Sequence, residues 1–385
     1  MTKPEESEPA PLVTQLENWH VAPSNAQNFA FLDGIRGIAI LLVVFCHLFY
    51  INPKATGIVK FVGSTLLAGS LGVTVFFTLS GFLISLPFWK FKLSDKPILL
   101  KSYLQRRFWK IYPPLALSVI LLLPFYIGIN GHPWDYTKTA LEWLAGIAWF
   151  TPVSGKFNSV MWSLIVEVHF YLVLPLAFLG LRKVSYSTCL WVMFLGFLLV
   201  PLAAKTLYAM HGLEFSLYPI MRVNFPVKMD AFAAGVLVAG LYQQGKLQPR
   251  MALLGPLGIL LLAGTLGMAG IAAVVPSVHD FWTPDASHYS AMLASACLLC
   301  FVANPALATK CGLSIGALRW LGLISYEWYL FHQPPYFWAR LILGSADGNL
   351  PKYLTITMLP FFGSLILAAI VYWKFSLPIL RKHRG

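Results

Sequence analysis

FLDGIRGIAILLVVFCHLFY, residues 31–50, decides the class of the fold. Its apolar run has the length of a bilayer crossing, ~20 residues at 1.5 Å each. Yet it carries Asp33, Arg36 and His47. Ionisable groups on such a segment are costly in hydrocarbon and mark bundle interiors or wet cavities. Arg36 and His47 are 11 residues apart. At about 100° per residue they share one helix face, roughly 16 Å apart along the axis, with Asp33 about a turn below Arg36. Two readings stand for each. Arg36 either snorkels to headgroups or faces a polar cavity. His47 is either a core histidine bonded to a neighbouring helix or the reactive group of that cavity.

Composition generalises the point. Hydrophobic residues make up 58% of the 385-residue chain and charged residues 11%, against roughly 25% charged in soluble domains. Such a chain cannot clothe itself in polar surface, so the expected fold is an all-α integral membrane protein. Apolar runs fall at 35–51, 66–88, 111–129, 160–180, 188–204, 223–242, 251–275, 290–304, 321–343 and 353–373, a bundle of about ten transmembrane helices. The net charge of +13 sits in loops, which points to membrane orientation rather than nucleic acid. Lys90, Lys92, Lys96, Lys101, Arg106, Arg107 and Lys110, then Arg182 and Lys183, Lys246 and Arg250, Lys310 and Arg319, and Lys374 to Arg384 fall on one side of the alternation. That side is cytosolic by the positive-inside rule, so both termini are expected in the cytosol. The segment 130–158 includes TKTALEWLAGIAWF, suited to an interfacial helix and short for a crossing. Residues 1–30 are polar and Pro-containing without a signal-peptide core, and read as a disordered tail. Cys297 and Cys300 have no second ligand pair, so packing is expected there and no metal.

Three further polar clusters lie on apolar spans. In NSVMWSLIVEVHFYLVLPL (158–176), Glu167 and His169 are buried by pattern. Glu167 lies ~10 Å and His47 ~6 Å below the outer surface. A Glu167–His47 contact orienting the imidazole is therefore possible, while the alternative is an inert carboxylate paired with Arg36 or Arg222. In KSYLQRRFWKIYPP (101–114), Arg106, Arg107 and Lys110 sit at the mouth of the third span. They form either a phosphate site or ordinary positive-inside bias. In LGLISYEWYLFHQPP (321–335), Glu327 and His332 are buried and Pro334–Pro335 breaks or kinks the span.

These stretches, together with GVTVFFTLSGFLIS (72–85) and KMDAFAAGVLVAG (228–240), resemble the membrane acyltransferase-3 family, in the family's order over roughly residues 31–335. The resemblance implies a ten-helix enzyme that moves an acyl group, usually acetyl from cytosolic acetyl-CoA, to a hydroxyl of an envelope or exported carbohydrate. The enzyme domain is then 31–376, and 377–385 a short basic cytosolic tail, in the bacterial inner membrane. The family's essential arginine and histidine map onto Arg36 and His47, and its CoA-linked basic motif onto Arg106, Arg107 and Lys110. At Lys110 the sequence departs from the family's second arginine, keeping charge and losing the bidentate fork. A late acidic residue before proline is replaced in Ser376-Leu377-Pro378. Asp33, Ser80, Ser163, Asp230, Tyr326 and His332, all within the matching motifs, are the candidates for a substrate cavity. Many relatives add a hydrolase-like outer domain. Here no Gly-Asp-Ser motif follows the last span, and the chain is expected to act alone or hand its acyl group to a separate partner. The expected partners are the glycan acceptor and membrane lipids. The rival classes are a transporter of a sugar or lipid-linked glycan, carrying the same buried charges along a substrate path, and a non-catalytic partner of a glycan-modifying complex.

Overall fold

The computed structural model describes residues 29–48, 56–94, 99–130, 133–145, 158–210, 225–279, 281–344 and 350–383. The tail 1–28, Arg222 and the last two residues lie outside them. Among the described residues there is no strand. α1 spans Ala30–Leu48, and α2 (Gly57–Leu67) passes through a 3-10 turn, Ala68–Leu71, into α3 (Gly72–Ser94). Then come α4 (Leu100–Asn130), α5 (Pro133–Ala145), α6 (Trp162–Gly180), α7 (Tyr186–Met210), α8 (Asp230–Gln243), α9 (Leu254–Val274) and α10 (Pro284–Leu299). α11 (Gly316–Leu323), α12 (Ser325–Phe331), α13 (Gln333–Leu343) and α14 (Leu350–Val371) follow. A last helix, Leu377–Lys382, joins α14 through a π-helical stretch, Tyr372–Ser376.

Among the described residues, seven helices are long and apolar enough to cross a membrane. The other three expected crossings fall on less regular elements. One is α4, which carries three internal prolines. One is the turn Phe225–Lys228 followed by the 14-residue α8. The third is the series α11–α13, broken at Ile324 and His332. The last break lies where Pro334 and Pro335 were expected to interrupt the span. Proline at 334 removes the N–H that the Leu330 carbonyl needs, and the Asn158 amide supplies a donor instead at 3.0 Å. α5 has 13 described residues, ~20 Å of helix, and the end of the expected interfacial stretch, 146–150, lies outside the described residues. Tyr136, Ala140 and Trp143 bury one of its faces while Trp134 and Leu141 stay exposed.

Small residues set the closest packing. A Cβ on Gly235 of α8 would overlap the Thr78 carbonyl of α3, and one on Gly81 would overlap the Phe232 carbonyl. The two backbones therefore touch, as at small-residue contacts between membrane helices. The same device fixes α1. Gly34 and Gly37 abut the carbonyls of Leu313 and Leu318, and Gly322 abuts that of Asp33. The glycines around Arg36 thus press α1 onto α11 and bring the arginine to the start of α12. α3 runs parallel to α6. Ser80 meets Glu167, Phe88 stacks on Phe178, and the Lys92 ammonium donates to the carbonyls of Leu181, Arg182 and Val184.

Candidate active site

α1, α3, α4, α6 and α12 line one cavity of about 750 Å³, a volume that includes the solvent at its open mouth. One face of α3 supplies Val73, Phe76, Phe77, Ser80, Leu83 and Ile84, spaced at helical intervals over ~16 Å. α6 adds Ser163, Leu164, Glu167 and Tyr171, α4 adds Arg107 and Lys110, and α1 adds Arg36. Ser325, Tyr326 and Tyr329 come from α12.

The charges in this cavity do not balance. Arg36 donates from a terminal nitrogen to Ser325 Oγ at 3.1 Å, and its buried Nε has no partner. Arg107 lies over the rings of Tyr103 and Tyr171, 5.8 and 5.5 Å from their centroids, and its Nε is also buried and unpartnered. Lys110 forms no ion pair among the described residues. The carboxylate here is Glu167. Its Oε1 accepts from Ser80 Oγ at 2.8 Å and from the Tyr171 hydroxyl at 2.6 Å. Among the described residues, three cations without an ion pair thus line the cavity with one carboxylate that two hydroxyls already hold. A second carboxylate, the buried Glu327, interacts electrostatically with Arg36 and Lys110.

Sequence reasoning placed Arg36, Ser80, Ser163, Glu167, Arg107, Lys110 and Tyr326 in a site, and the structure brings these seven together. It places the others outside the cavity lining. Arg106 is exposed and does not line the cavity, because it is about 100° round the helix from Arg107. Arg107 and Lys110 lie about two and three turns into α4, and both line the cavity with Glu167. Glu167 does not orient His47: its partners are Ser80 and Tyr171. His47 is half-buried outside the cavity lining, and its ring meets His332, with centroids 5.2 Å apart. Similar depth on two helices does not fix which faces meet. Asp33 is half-buried at the foot of α1.

Asp230 belongs to a separate buried cluster. Its carboxylate pairs with Lys205 at 3.2 Å and His288 at 3.1 Å, while His288 Nδ1 lies 3.2 Å from Thr74 Oγ1. Every member is satisfied, and the cluster ties α3, α7, α8 and α10 together.

Tyr171, Ser325 and Tyr329 escaped the sequence reading. The first stands four residues after Glu167, the spacing of helical neighbours, and that signal was available. At the far end of the cavity Ser163 donates to the Tyr329 hydroxyl at 2.7 Å, which itself donates to the Val160 carbonyl at 2.7 Å. The Tyr329 and His332 rings are 5.9 Å apart, so His332 neighbours both Tyr329 and His47. Among the described residues no group of three or more metal-ligating side chains gathers.

Comparison with known proteins gives the family. The model of the acyltransferase domain matches residues 29–373. Acyltransferase MdmB of Streptomyces mycarofaciens is 27% identical over 376 residues, covering 90% of this chain and 88% of that protein. Peptidoglycan O-acetyltransferase OatA of Listeria monocytogenes is 24% identical over 79% of this chain and 48% of its own. O-acetyltransferase OatA of Staphylococcus aureus is 23% identical over 91% of this chain and 57% of its own. The chain thus spans about half the length of the OatA relatives. No solved structure matches. The match runs through α1 and through every helix that lines the cavity, and the chain belongs to the acyltransferase-3 family.

Proposed function

We propose that the chain transfers an acetyl group from cytosolic acetyl-CoA to a hydroxyl of an envelope or exported carbohydrate. The observation that carries this reading is the set of unpaired cations, Arg36, Arg107 and Lys110, on one cavity. All three are half-buried, a position in which a cation without a partner gives up part of its hydration, and a polyanionic ligand offsets that loss. The phosphates of CoA are such a ligand, held by charge-assisted bonds.

The rest of the cavity suits the rest of the donor. Beyond Ser80, the wall of Phe77, Phe76, Val73 and Leu164 is apolar and runs ~10 Å toward Tyr329. The pantetheine arm reaches roughly 15–20 Å, close to the ~16 Å between Arg36 and His47 along α1. Phosphates on the cations then bring the thioester to His47 once the Tyr329 phenol swings off Val160. There His47 takes the proton of the acceptor hydroxyl, the oxygen attacks the thioester carbonyl, and the CoA thiol leaves. Arg36 and Lys110 stay at the phosphate end, and Glu167 holds Ser80 and Tyr171 while limiting the charge excess. The acceptor enters from the outer face, and both termini lie in the cytosol, as the loop charges indicate. The OatA relatives carry names for O-acetylation, one of them of peptidoglycan, which supports a glycan acceptor.

The test is acetyl-CoA thiol release by the full chain in membrane vesicles of its host, which carry the native acceptor. His47→Ala should abolish release while labelled acetyl-CoA still binds. A transporter would carry substrate with no thiol released. Normal thiol release by the His47→Ala protein removes His47 from the chemistry.

A further inference from the structure

His332 is fully buried at the break between α12 and α13. Its Nδ1 lies 3.1 Å from the Trp328 carbonyl and 2.9 Å from that of Tyr329. Carbonyls only accept, so in the neutral ring Nδ1 carries the hydrogen and Nε2 keeps its lone pair. That Nε2 is buried with no partner. Such an atom forfeits a hydrogen bond unless something donates to it. The neighbouring donors are committed elsewhere. Ser163 donates to Tyr329, Tyr329 to the Val160 carbonyl, and Cys46 to the Leu67 carbonyl. The ring against His332 is that of His47, with the two planes inclined 45°. Imidazoles joined nitrogen to nitrogen at roughly 3 Å hold their centroids about 5 Å apart, and the observed separation is 5.2 Å. A turn of the His47 ring completes the bond.

We infer that His332 is the positioning residue of His47, its Nε2 accepting the N–H of the His47 ring. The inference rests on the acyl-transfer reading of the cavity. The proton on the His47 nitrogen facing His332 fixes the tautomer, and the opposite nitrogen then presents its lone pair to the acceptor hydroxyl. When His47 takes the acceptor's proton, both of its nitrogens carry hydrogen, and the bond to His332 becomes charge-assisted. This is the arrangement first expected of Glu167, filled by a second imidazole.

Two variants and one spectrum test it. His332→Phe keeps an aromatic ring and removes the acceptor; His332→Gln returns an acceptor oxygen. In the vesicle assay His332→Phe should lower kcat roughly 10- to 100-fold, the loss of one charge-assisted bond, with KM for acetyl-CoA unchanged, and His332→Gln should recover part of that loss. Nuclear magnetic resonance of the full chain with isotope-labelled histidine should show His47 as a single neutral tautomer, mixed in His332→Phe. Equal kcat in His332→Phe and the parent, a Gln variant no better than Phe, or a mixed tautomer in the parent overturns the inference. If the Phe variant does not accumulate, the parent spectrum and the Gln variant decide. The spectrum does not depend on turnover, so a failure of the base reading at His47→Ala remains distinct from a failure of the pairing.

Discussion

Replacing Lys110 with methionine separates binding from folding in one substitution. Lys110 lines the cavity without an ion pair, so its removal breaks no direct carboxylate bond, although Glu167 and Glu327 lose a favourable neighbouring charge. Its ammonium is desolvated in the empty protein, and exchange of a buried charge for an apolar side chain of similar length is often neutral or stabilising. The Lys110→Met protein should therefore unfold in detergent at the parent's temperature or above. The donor loses one charge-assisted hydrogen bond, about 1.5–3 kcal/mol. At 1.36 kcal/mol per decade that raises KM for acetyl-CoA roughly 10- to 150-fold with kcat little changed. Lys110→Arg should stay near the parent. Arg106→Ala, which alters an exposed residue of the same basic motif, should change KM by less than about threefold. The assay is thiol release against acetyl-CoA concentration in the vesicles. An unchanged KM in Lys110→Met, or an Arg106 effect as large as that of Lys110, would refute the reasoning.

Three predictions concern the scaffold, each read by thermal unfolding in detergent. Gly235→Val puts a side chain where the Thr78 carbonyl lies, and should destabilise by about 1–3 kcal/mol or more. Asn158→Ala withdraws the amide that serves the Leu330 carbonyl, at a cost of about 1–3 kcal/mol; an unchanged unfolding temperature would mean that another group takes over. Asp230→Ala leaves Lys205 and His288 without their shared carboxylate, and should cost about 3–5 kcal/mol. Asp230→Asn, which keeps hydrogen-bonding atoms, should cost less.

Much of this was legible in the letters, for a physical reason. An ionisable side chain on an apolar span has to face protein or water, so Arg36 and Glu167 announced the interior, while Ser80 and Ser163 came from the motifs that carry the family resemblance. What the letters did not hold was azimuth. Arg106 and Arg107 are neighbours in sequence, yet only the second turns inward. Glu167 and His47 share a depth, and their helices present different faces. His332 reaches His47 because two prolines break the span beside it, and the direction of a broken helix is set by tertiary packing. Asp230 draws its partners Lys205 and His288 from two other spans, a pairing that no local pattern encodes. Two of the three crossings outside the seven show the same irregularity, α8 being 14 residues long and the series α11–α13 being broken twice.

The central claim is that the cations of the cavity hold the phosphates of the donor. It is tested most directly by electron cryomicroscopy of the full chain with a thioether analogue of acetyl-CoA. The account predicts phosphate oxygens within hydrogen-bond reach of Arg36, Arg107 or Lys110, with the arm along Phe76 and Phe77 and the acyl end toward His47. An analogue bound elsewhere, with those three side chains still unpartnered, would contradict it.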